Sequence, residues 1–163
     1  FVLLLQPLMQ VVTSPIAGRL AERIDIAKLA TAGMLMSGIG LLLAALTLGP
    51  QTPLWLVALE LMLIGAGFGI FITPNTTAIM DSVERRQYGV ASGMIGAMRT
   101  LGMATSLTTI TLVFSLFMGD QAVTDANLPR FLLSMKTALV AFSLFSCLGV
   151  LLSLCRGRRQ ASA

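Results

Sequence analysis

The chain has 163 residues, 56% of them hydrophobic and only 11% charged, with a net charge of +4. A soluble domain is nearer a quarter charged, and a fold of this length keeps too much surface in water to hide so much apolar side chain. The composition excludes an ordinary soluble domain and points to a membrane protein; with no histidine in the chain, it also removes Ser-His and Cys-His catalysis and the commonest zinc ligand.

Five apolar segments follow one another, each near the roughly 20 residues that a spanning helix needs. The first, residues 1–18, is uncharged and opens in mid-run on FVLLLQPLM. It lacks the basic start and small-residue cleavage site of a signal peptide, so the expectation is a piece of a longer protein. The second, residues 27–48, ends at the breaker GPQTP. The third, residues 54–80, carries one acid, Glu60. The fourth, residues 88–118, carries one base, Arg99. The fifth, residues 137–155, stops at RGRR and leaves a basic tail, 156–163. Cys147 and Cys155 both lie in this last run and read as small buried or lipid-facing residues.

Lys and Arg accumulate in cytoplasmic loops. Eight of the 11 fall after the first span (Arg19, Arg23, Lys28), after the third (Arg85, Arg86) and in the tail (Arg156, Arg158, Arg159), whereas the loop expected between the last two spans, residues 119–136, holds Arg130 and Lys136. If all five segments cross, these regions share one side. The chain is then expected in a cell (inner) membrane as a multi-pass protein, amino end outside and carboxy end cytoplasmic. The positive charge flanks apolar spans, so the partner it implies is the lipid bilayer and not nucleic acid.

The stretch SPIAGRLAERI, residues 14–24, resembles the Gly-x-Leu-Ala-Asp-Arg-x-Gly signature of the major facilitator superfamily. Gly18, Arg19, Leu20, Ala21, Glu22 and Arg23 match, with Glu in place of the usual Asp. Asp25 stands where a glycine is common. These departures suit the looser copy found in the second half of that family. A longer stretch, GAGFGIFITPNTTAIMDSVERRQYGVASGMIGAMRTLG, residues 65–102, is similar to the Gly-x-Gly-x-Gly, Pro-Asn, Gly-x-Ala-Ser-Gly and Arg-x-x-Gly series of its fourteen-helix drug:proton antiporters. The resemblance implies an all-α membrane fold: five transmembrane helices from a partial carboxy-terminal six-helix half. It implies a transporter, not an enzyme, with no cofactor and no metal. Its partners would be protons, a small amphiphilic substrate and an amino-terminal half absent from this sequence. A facilitator for another solute, or a helical assembly protein without transport, are the rival readings. The spans offer few polar groups beside many Met, Ser and Thr, which suits an adaptable apolar cavity.

The residues singled out each carry two readings. Gly18, Arg19, Glu22 and Arg23 form either a loop latch whose ion pairs break during rocking, or topogenic charge around a tight-turn glycine. Gly65 with Gly69, and Gly89 with Gly93, have the small-xxx-small spacing of close helix contacts. Such a surface either packs or slides. Pro74 is expected to kink its helix, with Asn75 serving the freed backbone or a neighbouring helix. Glu60 and Arg99 are costly at membrane depth. Each either reaches the surface by snorkelling or belongs to a polar network.

Overall fold

The computed structural model describes residues 2–119 and 127–160, with side chains to residue 153. Five α-helices carry the fold: α1 (Leu5–Ala21), α2 (Ile26–Thr47), α3 (Leu54–Asp81), α4 (Tyr88–Met118) and α5 (Leu128–Gln160). Short 3-10 turns precede α1 and α4. No strand occurs among the described residues, and α2 to α5 are each long and apolar enough to cross a membrane. The chain is an all-α, multi-pass membrane protein.

The packing is that of a protein in lipid. Among the described residues the buried hydrophobics are mostly alanines (Ala17, Ala30, Ala45, Ala66, Ala91 and Ala138), while leucines such as Leu46, Leu116 and Leu152 face outward. Lipid tails are as apolar as leucine, so close backbone approach and hydrogen bonds hold such helices together. In space α3 lies between α1 and α2, α2 lies between α3 and α5, and α4 leans mainly on α5. The α2–α3 seam is built on facing glycines. A β-carbon on Gly33 would lie 2.6 Å from the Phe71 backbone nitrogen and 2.7 Å from the Gly67 carbonyl oxygen. The α2–α5 seam is stitched by hydroxyls. Ser143 donates to the Gly38 carbonyl (3.2 Å), Ser146 donates to the Met34 carbonyl (2.9 Å), and the Thr31 and Ser153 hydroxyls share a bond of 2.6 Å. Phe114 and Phe131 meet edge to face at 5.6 Å and join α4 to α5.

The helix ends answer part of the charge pattern. Asp25 caps α2, its carboxylate accepting from the Ala27 backbone nitrogen at 3.0 Å. Such a cap contributes about 1 kcal/mol. In the α2–α3 turn the Thr52 hydroxyl accepts from the Gly49 nitrogen at 2.7 Å and lies 2.7 Å from the Thr47 carbonyl. Gly119 ends α4 with φ of 57°, a conformation open to glycine at little cost.

Three boundaries differ from the sequence reading, one of them the end of the last helix, which runs on from 155 to Gln160 through part of the expected tail. The helix α1 runs on to Ala21, so Gly18 and Arg19 are helical and the connection to α2 is short. Gly18 is no turn glycine: it lies within the helix facing α3, and a β-carbon there would meet the Thr73 methyl at an ordinary contact distance of 3.8 Å. The last helix begins at Leu128, which places Arg130 and Lys136 inside α5 and not in a loop. Pro129 is compatible with that start, because a first-turn N–H has no intrahelical acceptor. Charge at the helix end had made the span look shorter than it is. Residues 120–126 of the expected outer loop lie outside the described residues.

Candidate functional site

The α1–α3 seam brings together the largest group of the singled-out residues. Both helices run in the same direction and meet every four residues. Gly65 lies over the Gln6 backbone, where a β-carbon would come within 3.0 Å of the Gln6 α-carbon, and Gly69 lies over Gln10, 3.0 Å from its carbonyl oxygen by the same measure. One step further, the Thr73 hydroxyl reaches Ser14 Oγ at 3.2 Å. Pro74, fully buried, comes next on α3. The seam therefore uses the small-xxx-small spacing of α3 for a backbone-to-backbone contact.

Past the proline, half-buried Asn75 lines a cavity of about 660 Å³ where α2 begins and α3 ends. Met34 and Phe71 supply apolar wall, and Asp25, Asp81 and Ser153 supply polar rim. No hydrogen bond ties the Asn75 side chain to a neighbour among the described residues, so its amide is available to the cavity.

Arg19, Glu22 and Arg23 are exposed beyond the seam. They make no ion pair within 4.0 Å among the described residues, where Arg86 and Glu84, 2.8 Å apart and both exposed, form the one salt bridge. Among the described residues Gly89 and Gly93 meet nothing: no atom of another element lies within 4 Å of a β-carbon placed on either. Arg99 is exposed on the same open helix, without an acidic partner among the described residues. Thus α4 presents a small-residue, one-base face that nothing among the described residues covers.

Glu60 is buried at 6% exposure. It does not reach out to the surface. Its carboxyl is bound by the Thr47 hydroxyl across the α2–α3 seam, and that hydroxyl also lies 2.9 Å from the Leu43 carbonyl. One hydroxyl proton serves one acceptor at a time, so the bond has two settings. Thr47→Val leaves the buried carboxyl without its interhelical partner. An orphaned buried polar group costs about 1–3 kcal/mol. We expect a lower melting temperature for the whole protein in detergent, with Thr47→Ser near normal. Equal melting of the Val variant and the parent would show that the bond contributes nothing.

Sequence reasoning missed Thr47 and the serines of α5, because hydroxyls are common in apolar helices and carry no periodic signal. It also passed over Pro15, which lies inside α1.

The family model for the Major Facilitator Superfamily matches residues 1–155. The chain is 33% identical over 136 residues to the uncharacterised transporter YebQ of Escherichia coli (strain K12), covering 83% of this chain and 29% of that protein. It is 31% identical over 104 residues to the riboflavin transporter RibZ of Clostridioides difficile (strain 630), covering 64% and 23%. It is 35% identical over 91 residues to the multidrug resistance protein Stp of Mycobacterium tuberculosis (strain ATCC 25618 / H37Rv), covering 56% and 17%. The chain spans less than a third of the length of these relatives. No solved structure matches it. With the helical bundle, the glycine seams and a family match over nearly all its length, the chain belongs to the Major Facilitator Superfamily.

Proposed function

We propose that the full-length protein is a proton-coupled exporter of small amphiphilic compounds, working by alternating access, and that this chain supplies five helices of its carboxy-terminal half. The observation that carries this reading is the series from Gly65 to Gly102, which resembles the drug:proton pattern and falls in a chain similar to a multidrug resistance protein. The fourteen-helix plan belongs to the same proposal. The basic loops face the cytoplasm, the amino end of the chain lies outside, and the host is a cell (inner) membrane. The open face of α4, with Gly89, Gly93 and Arg99, meets the remainder of the transporter. Arg19, Glu22 and Arg23 find their partners there too, closing the cytoplasmic side as a latch.

The test is export by the full-length protein in cells stripped of their own efflux pumps. Expected is a several-fold rise in tolerance to lipophilic cations, and proton-gradient-dependent uptake of the same compounds into inverted vesicles. Uptake that ignores the gradient would remove proton coupling. A second reading, transport of a specific polar metabolite, is favoured by the similarity to a riboflavin transporter. Saturable movement of flavin with no drug movement would select it.

A further inference from the structure

Two helices of this chain contain an internal proline, Pro15 in α1 and Pro74 in α3. They stand at the same level. Along the seam Gln6 faces Gly65 and Gln10 faces Gly69, and Ser14 bonds Thr73. Each step of four residues on α1 is matched by four on α3, and the next residue on each helix is the proline. A proline inside a helix removes the hydrogen bond to the carbonyl four residues back and crowds that carbonyl. The carbonyls released are those of Val11 and Ile70. Both helices therefore lose a backbone bond at one height, directly beside the only hydroxyl-to-hydroxyl bond that joins them among the described residues.

From this coincidence we infer that Pro15 and Pro74 form one paired hinge, at which the ends of α1 and α3 beyond the Ser14–Thr73 bond swing together. The inference rests on the transport reading for its purpose, but not for its geometry. Proline is where helices bend sharply. Two parallel helices in matched register bend as a pair without losing the contacts between them. A single kink would shear the seam. The Thr73 hydroxyl has an alternative acceptor, the Gly69 carbonyl of its own helix at 3.3 Å, so the bridge can be released and remade as the angle changes. Just past the hinge, Gly18 lies opposite the Thr73 methyl, 3.8 Å from where a β-carbon would stand, so the two helices stay in contact there. The segment that moves carries Arg19 at its tip and, on α3, Asn75 at the wall of the cavity. Pro15 and Pro74 are thus positioning residues: they set where the latch and the cavity wall can go, without touching substrate.

The experiment uses the full-length protein in lipid nanodiscs and proteoliposomes, with Pro15→Ala, Pro74→Ala and the double variant. Alanine is the better helix former, so the variants fold. Spin labels at Leu20 and at Ile79, each paired with a label at Leu46 on proline-free α2, report the two swinging ends. All three positions are exposed in this chain. Expected is a distance distribution with two populations for both pairs in the parent, collapsing to one in each single variant. Transport per molecule falls at least tenfold in each single variant, and the double variant falls no further, because one hinge is broken only once. Losses that multiply in the double variant, normal transport by either single variant, or one unchanged distance population in parent and variants would each overturn the paired hinge. If the parent moves no compound tried, the transport reading fails, and the distances alone still decide whether the hinge exists.

Discussion

Gly67→Leu is expected to abolish accumulation of folded full-length protein. Gly67 sits in the α2–α3 seam, where a β-carbon would stand 2.6 Å from the Ser37 nitrogen and 2.8 Å from the Gly33 carbonyl oxygen. The Ser37 hydroxyl, 2.5 Å from that position, can turn aside, but the other two neighbours are backbone and cannot. Three further carbons in that space force the helices apart. Overpacking a well-packed core already costs about 1–3 kcal/mol. Here the separation also strips the Thr47–Glu60 bond and opens the contact at Gly40, whose β-carbon would lie 3.3 Å from the Ile64 nitrogen. The total approaches the whole stability of a typical protein, about 5–15 kcal/mol. Size-exclusion profiles of the detergent-solubilised protein would show it: no monodisperse peak for Leu, and a reduced one for Gly67→Ala. A peak of parental height for Leu would mean that the seam is far looser than its geometry.

Arg99→Lys is the second large effect expected, and its readout is transport. Arg99 lies 11 residues into α4 from Tyr88, roughly 16 Å along the axis at about 1.5 Å per residue. A cation near the bilayer centre costs about 2.5 kcal/mol or more even on the lenient scale. Nothing in this chain offsets that cost among the described residues. On the proposed reading the offset comes from the remainder of the transporter, through a network that uses the planar fork of the guanidinium. Lys keeps the charge but offers a compact point with different donor geometry. We expect Arg99→Lys to insert normally and to lose about nine-tenths of export per molecule, with Gln and Ala no better. Surface abundance and export measured side by side decide it. Near-normal export by the Lys variant would make Arg99 a surface-seeking charge.

Much of the fold was legible because membrane helices announce themselves by length and by the breakers between them. GPQTP ended the second span in the sequence and forms the α2–α3 turn in the structure. Helix ends rich in charge were less legible. Arg130 and Lys136 looked like loop residues, yet a helix can carry its charged ends beyond the apolar core. Glycine spacing identified a seam at Gly65 and Gly69 but not its partner. The same spacing at Gly89 and Gly93 meets nothing among the described residues, since spacing says that a face is small and not what lies against it. Glu60 was visible as an anomaly. That it is buried depends on Thr47, thirteen residues away across a turn, and no local pattern pairs a threonine with a distant acid.

The Thr47–Glu60 bond has a consequence for how the chain enters the bilayer during synthesis. A carboxyl carried into lipid on α3 alone would be desolvated without a partner, and burying such a group unpaired is expensive. Its partner lies at the very end of the preceding helix, beyond a turn already held by Thr52. When α3 emerges, Thr47 is therefore at hand before any later helix exists. The two helices meet the least resistance by partitioning from the insertion machinery together, as one hairpin that brings its own solvation for the acid.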